Sequence, residues 1–172
     1  MNSELLQQTI NNLGLHQVSL RSVDAHVNEQ VSSVYADTLA SLEMQIKHRP
    51  VSNSLFKAKE PSGEEIQFTS FAYECGVRLI DSSRDDSDSL YEVFKCRFIF
   101  SLELKVMSDE LPSEEGLAEF AYYNVPFIVW PYWREALSSL LERSGMPRFT
   151  LPFFRVNELQ AENPLLKVNE DV

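Results

Sequence analysis

The stretch FKCRFIFSLELKV, residues 94–106, alternates along nearly its whole length, Ile99 alone breaking the pattern. Phe94, Cys96, Phe98, Phe100, Leu102, Leu104 and Val106 fall on one side, while Lys95, Arg97, Ser101, Glu103 and Lys105 fall on the other. Successive residues of a strand point to opposite faces, so this pattern reads as one long strand with a dry face and a wet face, an arrangement that antiparallel sheets permit. Working back along the chain, Phe71, Tyr73, Cys75, Val77 and Leu79 keep the same period of two. Leu42, Met44 and Ile46 alternate with Glu43, Gln45 and Lys47 until Pro50, which removes a ladder donor and predicts the end of that strand. Between Leu15 and Val27 the apolar residues Val18, Leu20, Val23, Ala25 and Val27 alternate with one phase slip near Arg21, the mark of a bulge. SNSLFKAKEPSGEE, residues 52–65, then reads as a loop, and SSRDDSDS, residues 82–89, as a hairpin turn. Strands that follow one another without intervening helices pair as hairpins or through one crossover, which predicts a single antiparallel sheet whose apolar face needs a cover.

Helical spacing occurs on both sides of these strands. Leu5, Leu6, Ile10 and Leu13 predict a short N-terminal helix with Ser3 as its N-cap and Gly14 as its stop. Ser113, followed by Glu114 and Glu115, opens a second helical stretch through Tyr123, the acids suiting the positive end of the helix. Pro131 reads as the first-turn proline of the last helix, from about Trp130 to Ser144, with Gly145 ending it. Tyr132, Trp133, Ala136, Leu137, Leu140 and Leu141 form its apolar stripe, and it is the natural cover for the sheet. The organisation expected is therefore an N-terminal helical extension over residues 1–14, one α+β domain over 15–156, and an acidic tail over 157–172 that could form a turn or two of helix before Pro164.

Composition excludes several classes of function. The 172 residues are 44% apolar and 24% charged, as in one globular domain, and 15 basic against 26 acidic residues leave a net charge of −11. Nucleic-acid binding is not expected of such a balance, because phosphates are neutralised by a Lys/Arg surface. The opening MNSELLQQTINN lacks a basic n-region and an apolar h-region, and no apolar run is long enough to span a bilayer, so a cytoplasmic protein without membrane insertion is expected. Cys75 and Cys96 lie in strand-like runs without a partner spacing and read as buried reduced thiols. His16, His26 and His48 make no metal-binding spacing, five glycines provide no phosphate cradle, and the aspartates of 82–89 lack the glycine and terminal glutamate of a calcium loop. No catalytic residue, metal or cofactor is expected.

The last helix carries a more specific pattern. Pro131, Tyr132, Arg134, Glu135, Ser139, Arg143 and Pro147 stand at the spacing P-Y-x-R-E-x-x-x-S-x-x-x-R-G-x-x-P, with Pro126 five residues ahead and Leu151-Pro152 behind. In this the chain resembles the SecB export-chaperone family, over about Leu15 to Val156, although only the last thirty or so residues carry the specific signature. Ser144 stands where the family has glycine, and Gly145 is expected to take over the C-cap. The resemblance implies a four-stranded antiparallel sheet covered by a C-terminal helix, assembled as a dimer of dimers. It further implies grooves that hold unfolded polypeptide without ATP, for export or for control of one client such as an unstable antitoxin. Phe127, Trp130, Trp133, Phe149, Phe153 and Phe154 flank or occupy the helix and are the candidate client-binding set, some lining a groove and others closing the core. Family members dock the motor SecA through outward acids, but the best-matching positions here are Gln17, Arg21, Lys95 and Arg97, which implies weak or altered docking. The alternative is a small-ligand carrier whose sheet and helix enclose an apolar pocket for a lipid or aromatic metabolite.

Overall fold

The computed structural model describes residues 3–29, 41–59, 63–81, 91–147 and 149–154. The expected turn at 82–89 and the acidic tail lie outside the described residues. In chain order the elements are α1 (Ser3–Asn12), β1 (Leu13–Val27), β2 (Leu42–Lys59), β3 (Glu65–Asp81), β4 (Tyr91–Val106), α2 (Glu114–Tyr123) and α3 (Val125–Arg143).

The four strands form one antiparallel sheet in the order β1-β4-β3-β2. β2–β3 and β3–β4 are successive antiparallel neighbours, and β1 reaches β4 by a crossover, as the strand pattern predicts. The phase slip near Arg21 is a real irregularity, because the β1–β4 register shifts between Leu20 and Ser22; a second shift lies between Leu15 and Gln17. The inner face belongs to the alternating apolar residues of β3 and β4. Phe71, Tyr73, Cys75, Val77 and Leu79 are buried there in register with Leu102, Phe100, Phe98, Cys96 and Phe94.

One expectation fails along β2. Pro50 does not end the strand, and residues 52–59 are not a loop, since β2 continues to Lys59 and turns into β3 around Gly63, whose φ is +88°. β2 is an edge strand, so a missing donor can face away from the sheet, and the register shift between Pro50 and Ser52 absorbs the proline. Beyond Pro50 almost every residue of β2 is exposed, so no apolar alternation advertises the strand.

The helices cover the inner face. α3 begins at Val125, with Pro126 in its first turn, so Pro131 lies inside the helix rather than at its start. Val125, Val129, Trp133, Leu137 and Leu141 recur every fourth residue and are fully buried, a ladder that presses onto β3 and β4. α3 ends at Arg143 and, against expectation, Ser144 keeps the C-cap; Gly145 stands one position beyond at φ +66°, the left-handed geometry that glycine adopts without a Cβ penalty, and turns the chain out of the helix there. α2 starts at Glu114, and the Ser113 hydroxyl accepts a hydrogen bond from the Gly116 N–H at 3.1 Å.

α1 is not closed by Gly14, which lies within β1 opposite Lys105. It stops at Asn12 because Leu13 already pairs with Val106, while the Met107 N–H bonds to the Asn12 carbonyl at 2.9 Å and the Asn12 side chain donates to the Glu110 carbonyl at 2.8 Å. α1 packs on α2 at Gly116, where a Cβ would collide with the Thr9 hydroxyl and crowd that of Ser113. Gly116→Ala is therefore expected to lower stability by about 1–2 kcal/mol, despite alanine's better helix propensity, because overpacking exceeds that gain. Urea denaturation, with limited proteolysis to report loosening of α1, measures it.

Candidate functional site

The aromatic residues of α3 and the segment after it separate into an anchor and a surface. Trp130 and Trp133 meet edge to face with centroids 4.9 Å apart, and both are buried. The Trp130 Nε1–H donates to the Pro152 carbonyl at 2.9 Å, which fastens residues 149–154 across the helix. Leu151 is buried beside it, Phe149 packs half-buried against the core, and Phe154 leans on Trp130 with centroids 4.9 Å apart. His48 reaches this cluster from β2. Its ring lies against Trp130, Trp133 and Phe154, and its Nδ1 is 2.7 Å from the Tyr73 hydroxyl. The cluster thus locks α3, the 149–154 segment and the edge strand together.

The surface members are Phe127, 63% exposed, and Phe153, 79% exposed. Phe127 touches Phe154 edge to face at 6.5 Å, and the Arg134 guanidinium lies 5.2 Å from the centre of the Phe153 ring. The six candidate client-binding residues are therefore unlike one another. Trp133 has no exposed surface and Trp130 almost none, Phe149 and Phe154 are partly covered, and only Phe127 and Phe153 stand fully in reach. Among the signature residues, Tyr132 is 46% exposed, Arg134 stacks on the Phe153 ring, Glu135 and Arg143 are exposed, and Pro147 is half-buried after the helix.

The four docking candidates lie on the sheet face turned away from the helices. Gln17 and Arg21 lie at the β1 irregularities, with Arg21 bonded to Glu103 at 2.9 Å, and Lys95 meets Glu92 at 2.8 Å. Arg97 reaches Glu74 at 2.8 Å. Glu74 is a residue that sequence reasoning missed. Its carboxylate is 7% exposed on an open face because Arg97, Arg49 at 3.4 Å and Lys47 at 3.6 Å close over it. Burial alone would push its pKa up, yet the hydrogen bonds from Arg49 and Arg97 outweigh burial and hold it below the usual carboxylate value. Its signal was available in the alternation, since Glu74 stands in the wet phase of β3 directly opposite Arg49.

Both cysteines are free and buried; desolvation pushes the Cys75 thiol well up and the Cys96 thiol up to about 12, so neither is a nucleophile at neutral pH. An open cavity of about 570 Å³ lies between α1 and the 108–113 loop. Gln8, Asn11, Asn12, Ser108 and Glu110 contribute to its lining, so it is not the sealed apolar pocket that the carrier alternative requires.

No family model matches the chain, and no curated protein matches it by sequence. The fold does have counterparts among solved structures. It is similar to a SecB-like chaperone of Mycobacterium tuberculosis solved in complex with a ChAD peptide from an antitoxin, with a TM-score of 0.67 at 18% identity over 88% of this chain and 97% of that one. A protein of unknown function from Streptococcus agalactiae, at TM-score 0.37 and 8% identity over 82% of this chain and 97% of that one, is too distant to inform the reading. The chain therefore has the SecB-like fold that its last helix suggested.

Two measurements check the anchors. Trp130→Phe keeps a ring but loses the bond to Pro152, and is expected to cost about 1–2 kcal/mol and to hasten protease cleavage after residue 148. For Glu74, a depressed folded-state pKa stabilises the protein above the unfolded value of 4.5, and that stability is lost as pH falls through the folded value. The stability gap between the wild type and Glu74→Gln is accordingly expected to be widest at neutral pH and to narrow in denaturation series below pH 4.5.

Proposed function

We propose that the protein is an ATP-independent holdase that binds unfolded polypeptide at the surface formed by Phe127, Phe153 and the partly covered Phe154. One observation carries the reading: two aromatic rings stand in solvent on a surface whose backing is fixed by the Trp130 bond to Pro152 and by the His48 cluster. Large exposed apolar groups on a rigid backing mark binding sites, and burial of apolar area is non-directional, so many side chains satisfy such a surface. The SecB-like chaperone with the same fold was solved holding an antitoxin peptide, which supports a polypeptide occupant here and, by analogy, a dedicated client. Export through SecA is the weaker branch, because the outward face carries Arg21, Lys95 and Arg97 where an acidic surface would attract that motor.

The working form in this reading is a homotetramer, a dimer of dimers, in the cytoplasm. Leu15, Leu20 and Val23 on β1, with Ile46 and Leu55 on β2, are exposed apolar residues on the helix side of both sheet edges, more than a lone chain leaves in water without consequence. Catalysis and cofactors have no part in it.

The test replaces Phe127 and Phe153 by alanine, singly and together, and follows suppression of aggregation of a chemically unfolded client. Each single variant is expected to hold client about five- to tenfold more weakly, the scale of one lost aromatic contact, with the melting temperature unchanged and ATP without effect. Unaltered activity in the double variant would move the client elsewhere. Light scattering of the wild type reports the assembly, and a dilution-stable monomer would remove the tetramer from the reading.

A further inference from the structure

The sheet face turned away from the helices has a centre unlike its rim. Cross-strand register places Arg49, Glu74 and Ile99 in one row, Lys47, Gly76 and Arg97 in the next, and Gln45, Arg78 and Lys95 in a third. Directly paired residues of neighbouring strands share a face, so these nine positions form one patch of surface. Its middle position is a glycine. A Cβ there would lie 3.3 Å from the Cys96 carbonyl, and without one nothing separates Lys47 from Arg97 but backbone. Both cations lean across this gap toward Glu74.

The charges in the patch do not balance. Lys47, Arg49 and Arg97 share the single carboxylate of Glu74, while Arg78 is satisfied by the neutral amide of Gln45. The three cations around Glu74 are 68%, 57% and 58% exposed, although the carboxylate beneath them is almost covered. Arg97 spends Nε and Nη2 on Glu74, which leaves the N–H donors of Nη1 unspent among the described residues, and the Lys47 ammonium, at 3.6 Å, is held only loosely. An unbalanced positive centre is conspicuous in a chain of net charge −11. Selection for solubility alone gives no reason to gather cations around a buried acid.

We propose that the notch over Gly76 is a docking site for an acidic segment of a protein partner, with an Asp or Glu side chain seated between Lys47 and Arg97. Charge complementarity identifies the occupant, and the rim narrows it. Asp24 lies in register with Arg97, Glu43 borders the patch on β2, and Glu92 already neutralises Lys95, so an extended polyanion such as nucleic acid meets repulsion along the β1 flank and at the Glu43–Glu92 end. A short acidic knob fits inside that rim. The site is on the opposite face of the sheet from Phe127 and Phe153, so it is separate from client holding and could be occupied at the same time.

The experiment titrates the full-length protein into a fluorescein-labelled acidic peptide of alternating Asp and Gly, read by anisotropy at low and at physiological ionic strength. Wild type is expected to bind the peptide but not its Asn-for-Asp counterpart, with affinity falling as salt rises. Lys47→Gln should weaken binding about tenfold, and Glu74→Gln, which removes the internal competitor for the three cations, should strengthen it several-fold when measured well below that variant's melting temperature. Gain of affinity is the decisive outcome, since damage to the sheet would not produce it. Lys57→Gln, at the Glu65 ion pair outside the patch, should bind as wild type, and aggregation suppression should be unaffected by Lys47→Gln. The proposal is overturned if wild type does not bind, if Glu74→Gln binds no better, if Lys57→Gln loses as much as Lys47→Gln, or if an oligonucleotide of equal charge binds more tightly than the peptide.

Discussion

β4 lies between β1 and β3, so its residues from Phe94 to Lys105 run between two neighbouring strands, and its inner residues can leave water only if something is laid on top of them. That cover is the fourth-residue ladder of α3, from Val125 to Leu141, with Trp133 at its middle. Removing one interior phenylalanine or tryptophan from such an interface costs on the order of 3–5 kcal/mol, a large share of a small domain's stability. The position of α3 therefore determines where Trp130, Phe127 and the 149–154 segment can lie, and through His48 it also ties down the edge strand. The outer face is free to carry a different chemistry because none of this burial depends on it.

Where burial is one-sided, the chain declares it. β3 and the body of β4 were legible because a dry face and a wet face impose a period of two, and the irregularity at Arg21 was legible as a break in that period. The second half of β2 was illegible for the same physical reason, since its side chains are exposed on both faces and Pro50 argues against a strand unless the strand is known to be an edge. The start of α3 was misplaced because two prolines compete for the first turn. Only packing shows that Pro126 occupies it, with Val125 and Val129 buried ahead of Pro131.

The candidate site was legible as a set but not as individuals. Aromatic residues around a helix are called for equally by a core and by a binding surface, and spacing alone does not separate Trp133, which is sealed, from Phe153, which is open. The deciding contact is between an indole N–H and a backbone carbonyl twenty-two residues on, which no side-chain pattern encodes. Glu74 escaped notice for a related reason. An acid in the wet phase of a strand is ordinary until hairpin register brings Arg49 opposite it and Arg97 within reach.

The strand order also bears on how the chain comes to be folded as it is made. β2, β3 and β4 are consecutive and can zip together as two hairpins, whereas among the described residues β1 pairs with β4 alone, Leu13 with Val106 and Val27 with Phe94. During synthesis β1 leaves the ribosome before the other three strands and must wait for β4, and closing so long a loop is entropically slow. For that interval the backbone N–H and C=O groups of β1 lack the ladder partners that β4 supplies in the finished sheet, the kind of segment that a holdase exists to shelter. In the reading given above, finished copies would be suitable guardians for the nascent chains of their own kind.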